Sequence, residues 1–198
     1  MTVEHLELLV EEPSMETALR LLLPRMLSGI SFEVYPHQCK DELLRRLPER
    51  LRGYASWLPQ NWRILVMVDR DDDDCRELKE SLERFAQDAG FVTRTRARTA
   101  ALGYVVINGI VVEELEAWYF GDWNAVRAAY PRVPATIPSQ AKYRNPDDIA
   151  GGTWEASERI LRRKGYFSGG LRKIDAARSI VPYHGPQPKC FSEFSSVL

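Results

Sequence analysis

The sequence predicts an α/β fold built on a parallel sheet, and three observations carry the prediction. First, Ile64–Val68 is five apolar residues without helical spacing, following the turn-like Pro59-Gln60-Asn61. Such a run reads as a strand buried on both faces, as parallel strands are. Second, short apolar runs alternate with amphipathic stretches from Leu6 to Thr95, in the order βαβαβαβ. Repeated βα units imply parallel strands with helices on the sheet faces. Third, two of the apolar runs end abruptly in acid: Glu11-Glu12 after the first, and Asp69, Asp71, Asp72, Asp73 and Asp74 after the third. Ligands in open α/β sheets collect at the carboxyl ends of strands.

Taken in order, Leu6–Val10 is the first strand. Pro13 and Ser14 then open a helix whose apolar face is Ala18, Leu21, Leu22, Leu23 and Met26, reaching about Leu27. Ile30–Tyr35 alternates as a second strand. The next helix carries Leu43, Leu44, Leu47 and Leu51, with Pro48 expected to kink or split it. After the Ile64–Val68 strand, Leu78, Leu82, Phe85 and Ala89 line a helix over Cys75–Ala89 that Gly90 closes. Phe91–Thr95 is expected to be a fourth strand. Tyr104–Val112 reads either as a strand pair turning at Asn108-Gly109 or as one strand broken there, because Asn-Gly is a strong turn signal. Glu113–Phe120, Trp123–Tyr130, Trp154–Lys164 and Leu171–Ile180 are expected helices, while Pro131–Pro138 and Gly165–Gly170 are loops.

The charge is nearly balanced overall, at −1, but unevenly spread. Residues 142–190 hold ten Lys/Arg against five Asp/Glu, and residues 1–141 hold seventeen against twenty-two. An acidic centre beside a basic flank suits a metal site facing a polyanion. Three widely spaced cysteines argue against a disulfide framework or zinc ribbon, and the three histidines lack ligand spacing. With no apolar run of about 18 residues and no signal-peptide pattern, a cytoplasmic location without a membrane is expected.

The chemistry expected of the acidic ends follows from topology. In a parallel sheet both ends lie on one edge, so Glu11 and Asp69 converge. If the backbone stays extended through Asp69-Arg70-Asp71, the two aspartates point to one side. Carboxylates gathered this way repel unless a hard cation such as Mg²⁺ or Mn²⁺ neutralises them. The competing reading is a solvated loop whose aspartates cap the following helix. Glu113, Glu114, Glu116 and Trp118 form a second acidic group, either near a metal or simply opening a helix. Arg94, Arg96 and Arg98 alternate, and on an extended segment would present one cationic row to a nucleic-acid backbone or guard a sheet edge. Arg172 and Lys173 sit at an expected helix start after two glycines, suited to phosphate or to solvent.

The stretches LLVEEPSMETA and ILVMVDRDDDD, in that order, resemble the Glu and Asp-x-Asp motifs of TOPRIM domains. Together with VVEELEAWYFGD, GGLRKIDAARSI and PQPKCFSEF, they make nearly the whole chain similar to a bacterial TOPRIM-like family of unknown function. Members of that family are often encoded beside AAA- or ABC-type ATPases in mobile and phage-defence loci. The resemblance implies a Rossmannoid sheet over residues 1–120 and a mostly helical extension over 121–198 packed on the same core. It implies Glu11 as the catalytic glutamate, and Asp69 and Asp71 as the metal-binding pair. Asp73 would be a further acid, and Glu116 lies in a stretch the family shares. Where TOPRIM domains usually carry glycine after the glutamate, this chain has Glu12, and Met15 precedes Glu16. The implied activity is Mg²⁺- or Mn²⁺-dependent hydrolysis of nucleic acid, DNA ahead of RNA, as the effector of an ATPase; a homodimer is compatible with it. The alternatives are a binding or regulatory subunit with a degenerate site, and a receiver-like phosphoacceptor domain using Asp69 and Thr95.

Overall fold

Four strands are each hydrogen-bonded to a parallel neighbour: β1 (His5–Val10), β2 (Ser31–Pro36), β3 (Trp62–Asp69) and β4 (Val106–Val111). They form one sheet in the order β2-β1-β3-β4. The computed structural model describes residues 2–71, 73–100, 103–111 and 115–185. Asp72, Val112, Glu113, Glu114 and the stretch PQPKCFSEF with its Cys190 lie outside the described residues. The α/β architecture with a parallel sheet flanked by helices is as the alternating pattern predicts. The middle strands carry the apolar runs Leu8–Val10 and Ile64–Val68 because neither face meets water there: Leu8, Leu9, Val10, Ile64, Val66 and Val68 have no exposure.

The chain divides into two compact units, Met1–Glu16 with Leu27–Val111, and Thr17–Met26 with Val112–Leu198. In the first unit, α2 (Lys40–Ala55) and α3 (Cys75–Asp88) supply a core with β1 and β3. Leu43, Leu47, Leu51 and Tyr54 of α2 and Leu78, Leu82 and Ala86 of α3 pack with Leu9, Ile64, Val66 and Val68. The i, i+4 spacing of the α2 set explains why this helix runs unbroken through Pro48. A continuous buried stripe, with the Tyr54 hydroxyl donating to Glu7 at 2.5 Å, outweighs one lost backbone bond. The helix α1 (Pro13–Met26) follows β1.

Two expectations fail in this unit. Phe91–Thr95 is not a strand: only Thr93 bridges to Val106, and a helix, α4 (Arg94–Ala100), begins at the next residue. Arg and Ala are good helix formers, and Thr93 acts as the cap. Its carbonyl accepts from Ala97 N–H at 2.9 Å and its hydroxyl from Arg96 N–H at 3.4 Å. On a helix, alternate residues lie about 200° apart. Arg94 and Arg98 therefore share a face that Arg96 does not, and the single cationic row is not formed.

Asn108-Gly109 makes neither a hairpin nor a break. Both residues lie inside β4, in register with Val66 and Met67. A two-residue hairpin turn of this type needs positive φ at both positions, and neither Asn108 nor Gly109 has it. The Asn108 amide instead donates to Glu83 at 3.0 Å, so a buried partner overrides the local turn preference.

The second unit contains α5 (Leu115–Gly121), α6 (Trp123–Ala129), α7 (Thr153–Arg163) and α8 (Lys173–Ile180). Phe120 stacks on Trp123 and Tyr143, with ring centroids 5.3 and 5.4 Å apart. Arg25 donates to the carbonyls of Val181 at 3.1 Å and His184 at 2.5 Å. Asp122 caps α6 at Ala125 N–H and also accepts from Gly185 N–H at 3.1 Å. Among the described residues no helix is long and apolar enough to cross a membrane.

Candidate metal centre at an acidic strand edge

Glu11 and Asp69 are brought together by the pairing of β1 and β3. In that ladder Val10 is opposite Met67, so Glu11 leaves β1 level with the last two residues of β3, Val68 and Asp69. Glu11 Oε2 accepts a hydrogen bond from the Asp69 backbone N–H at 3.0 Å, across 58 residues of sequence. Burial raises the Glu11 pKa above its ordinary value; the bond from Asp69 works against this, Asp71 adds to it, Lys40 opposes it and Glu12 adds a little. Asp69 itself is buried. Glu12 accepts from the Ser14 hydroxyl.

The backbone does not stay extended through Asp69-Arg70-Asp71. β3 ends at Asp69, and Asp71 has φ 48°, a left-handed conformation that Asp tolerates better than most residues. Strand alternation therefore does not align Asp69 with Asp71, and a cation gathers the acids instead. Lys40, the first residue of α2, places Nζ 2.6 Å from Asp71 Oδ2 and 2.8 Å from Asp73 Oδ2. The same ammonium donates to the backbone oxygens of Asp69 at 3.3 Å and Arg70 at 3.1 Å. Burial pulls the Lys40 pKa down, but the hydrogen bonds and charges of Asp71 and Asp73 outweigh it, and the net shift is upward. Lys40 was missed in the sequence; the signal was its place just past β2, whose carboxyl end shares the edge with those of β1 and β3.

The cap reading of the acidic run finds its residue. Asp74 is a helix cap, its side chain accepting from Arg76 N–H at 2.8 Å and Glu77 N–H at 3.1 Å at the start of α3. Asp71 and Asp73 are instead partners of a cation. Among the described residues no group of three or more His, Cys, Asp or Glu is arranged to hold a metal ion. The donor set still suits a hard cation in kind. Four oxygens, from two carboxylates and two carbonyls, already surround the Lys40 ammonium, and oxygen donors are what Mg²⁺ takes.

A second polar group, unsuspected from sequence, stands on α3. Glu83 accepts from the hydroxyls of Thr93 and Thr95, from Asn108 and from Lys79, which lies 3.4 Å away. Lys79 also donates to the Asn108 carbonyl at 2.5 Å. Burial pushes the Glu83 pKa up, and the bonds from Thr93 and Asn108 and the Lys79 charge push it further down, so the net shift is downward. Thr95, which a phosphoacceptor domain would need after a fourth strand, is thus a member of α4 bonded to Glu83.

The remaining candidates are on α4 and in the second unit. Arg96 and Arg98 are exposed on α4, and Arg94 is half-buried there. Glu116 is fully buried in the first turn of α5, in the second unit. Arg172 precedes α8, bonded through Nε to Asp175 at 2.7 Å, and Lys173 is the first residue of that helix.

Fold and edge together define an α/β protein with a polar, charge-paired site at the carboxyl ends of a parallel sheet. Residues 10–194 match the model of a domain of unknown function, DUF4276, and the chain belongs to that family. A protein of Camponotus floridanus named myosuppressin is 36% identical over 73 residues, covering 37% of this chain and 76% of that protein. No solved structure matches the chain.

Proposed function

We propose that the chain is a TOPRIM-like nuclease that hydrolyses nucleic-acid phosphodiesters with Mg²⁺ or Mn²⁺, DNA ahead of RNA. Its setting would be the cytoplasm, as the effector of an AAA- or ABC-type ATPase. The observation supporting this most is the Glu11–Asp69 bond of 3.0 Å, which joins two acidic strand ends 58 residues apart. Glu11, Asp69, Asp71 and Asp73 would hold the ion. When bound, the ion polarises the phosphodiester and stabilises charge on its oxygens. Glu11 takes the proton of the attacking water; a half-buried carboxylate whose pKa is raised is a better base than an exposed one. Lys40 would have to release Asp71 and Asp73 to the ion before its ammonium could meet a phosphate oxygen.

The second reading is a regulatory subunit that binds without cutting. Lys40 favours it, because an ammonium paired at 2.6 and 2.8 Å already neutralises Asp71 and Asp73. Cleavage of single- and double-stranded DNA and RNA with millimolar Mn²⁺, with the candidate ATPase present, tests both. Wild-type cleavage lost in Glu11→Gln and Asp69→Ala is the expected result. Cleavage by Glu11→Gln at the wild-type rate would show that Glu11 is only a helix-entry acid. Retention of nucleic acid without cleavage by wild type would select the regulatory reading.

A further inference from the structure

The second unit contains a pocket of about 700 Å³ that the strand-edge chemistry does not use. One wall is aromatic. Tyr130 lies 4.8 Å from Tyr166 and 5.6 Å from Phe167, centroid to centroid. Phe167 is held at φ 50°, a left-handed conformation that a bulky residue rarely adopts. The rest of the lining is cationic and polar, with Arg172, Arg178, Ser168 and Ser179. Both guanidinium groups lean on one carboxylate, with Arg172 Nε 2.7 Å from Asp175 Oδ2 and an Arg178 terminal nitrogen 3.5 Å from Oδ1. One carboxylate against two guanidinium groups leaves a net positive charge. Each guanidinium has five N–H donors, so most are not taken by Asp175. At Gly169 an added Cβ would meet nothing within 4 Å, so a ligand can come close to the backbone there.

We propose that this pocket binds a nucleotide, with its base against Tyr166 and Phe167 and its phosphate against Arg172 and Arg178. The size is right for a ligand of that class. Guanidinium forks match phosphate oxygens in pairs, and unstacked bases are commonly held on aromatic side chains. A purely apolar ligand would leave the two guanidinium groups with only Asp175 between them, and an acidic peptide would leave the aromatic wall unmatched. An aromatic ring joined to a phosphate satisfies both parts of the lining. The nucleotide is either free or the end of a nucleic-acid strand, since the chemistry is shared. The site stands independently of any metal at Glu11 and Asp69.

The test is equilibrium binding by the full chain in EDTA, which removes divalent ions and keeps this outcome separate from the cleavage experiment. The probes are AMP, a 5′-phosphorylated single-stranded oligothymidylate and inorganic phosphate. Binding of AMP or the oligonucleotide is expected, weakened about tenfold in Phe167→Ala and in Arg178→Ala. Arg178 is exposed, so its variant should melt like wild type, and Phe167→Leu keeps a test open if the alanine variant fails to fold. Tighter binding of the oligonucleotide than of AMP assigns a strand end; equal or tighter binding of AMP assigns a free nucleotide. Phosphate bound as tightly as AMP, with no effect of Phe167→Ala or Phe167→Leu, would reduce the pocket to a bare anion site. That result, or no binding of either nucleotide probe at millimolar concentration, overturns the proposal.

Discussion

The counter-charge beside Asp71 and Asp73 is the ammonium of Lys40. Lys40 Nζ has oxygen neighbours at 2.6, 2.8, 3.1 and 3.3 Å. If a divalent ion binds the same carboxylates, the two cations compete. Lys40→Met is then expected to melt lower than wild type without metal, because Asp71 and Asp73 lose their counter-charge. Its melting temperature should also rise more in millimolar Mn²⁺ than that of wild type, since ligands that bind the native state stabilise it. A thermal-shift titration decides this; loss of the Mn²⁺ response in Lys40→Met would mean that Lys40 helps to build the site. Glu83 gives the pH counterpart. Its folded pKa lies below the ordinary 4.5, so its contribution to stability is present above that value and disappears as pH falls through the depressed one. The stability gap between wild type and Glu83→Gln should be about 1 kcal/mol at pH 7 and close as pH falls below the ordinary 4.5. A gap unchanged down to about pH 3 would show that the charge of Glu83 is not what the network uses.

At the scale of elements, the apolar runs Leu8–Val10 of β1 and Ile64–Val68 of β3 made those strands legible, and their acidic ends marked one candidate edge. What the sequence hid was set by partners distant along the chain. Phe91–Thr95 has strand-like composition, but Thr93 has two partners for its hydroxyl, Glu83 and the Arg96 N–H. Their combined pull starts α4 where a strand was expected. Asn108-Gly109 has turn chemistry, yet Glu83 engages the Asn108 amide and β3 supplies the ladder. Lys40 was hard to find because its acidic partners lie some thirty residues further on, past the rest of α2 and β3. Two substitutions check these accounts. Thr93→Val keeps the shape and removes the hydroxyl, and should cost about 1–2 kcal/mol in urea unfolding, with Thr93→Ser recovering part of it. Gly109→Ala should stabilise by about 0.4–1 kcal/mol, because Gly109 has no positive φ and the added Cβ meets Val66 O at 3.7 Å. A loss at Gly109 would mean that the strand is not continuous there.

For the whole molecule, charge is divided as the work is proposed to be. The acids of the strand edge are in the first unit, and Arg172, Lys173 and Arg178 are in the second. Acids can hold a metal ion and take a proton but repel a phosphate backbone, whereas basic groups attract it without cutting. The two tasks should therefore separate on mutation. Glu11→Gln and Asp69→Ala are expected to abolish cleavage and leave nucleic-acid retention within a few-fold of wild type, because neither removes a cation. Reversing charge in the second unit, with Arg172→Glu and Lys173→Glu together, should do the opposite. Binding should weaken and become less sensitive to salt. The log–log slope should fall by about 0.9 for each phosphate no longer neutralised on duplex DNA, or about 0.7 on a single strand. Filter retention across about 50 to 200 mM salt measures the slope, and gel assays of the same samples measure cutting. Reversal on α4 provides an internal comparison: Arg96→Glu should not act in concert with Arg94→Glu and Arg98→Glu, since Arg96 is on the other side of the helix. Unchanged salt slopes in the Arg172/Lys173 variant would place nucleic-acid binding away from the second unit. Retention that disappears together with cleavage in Asp69→Ala would show that metal and backbone binding are one event, and the division of labour would be wrong.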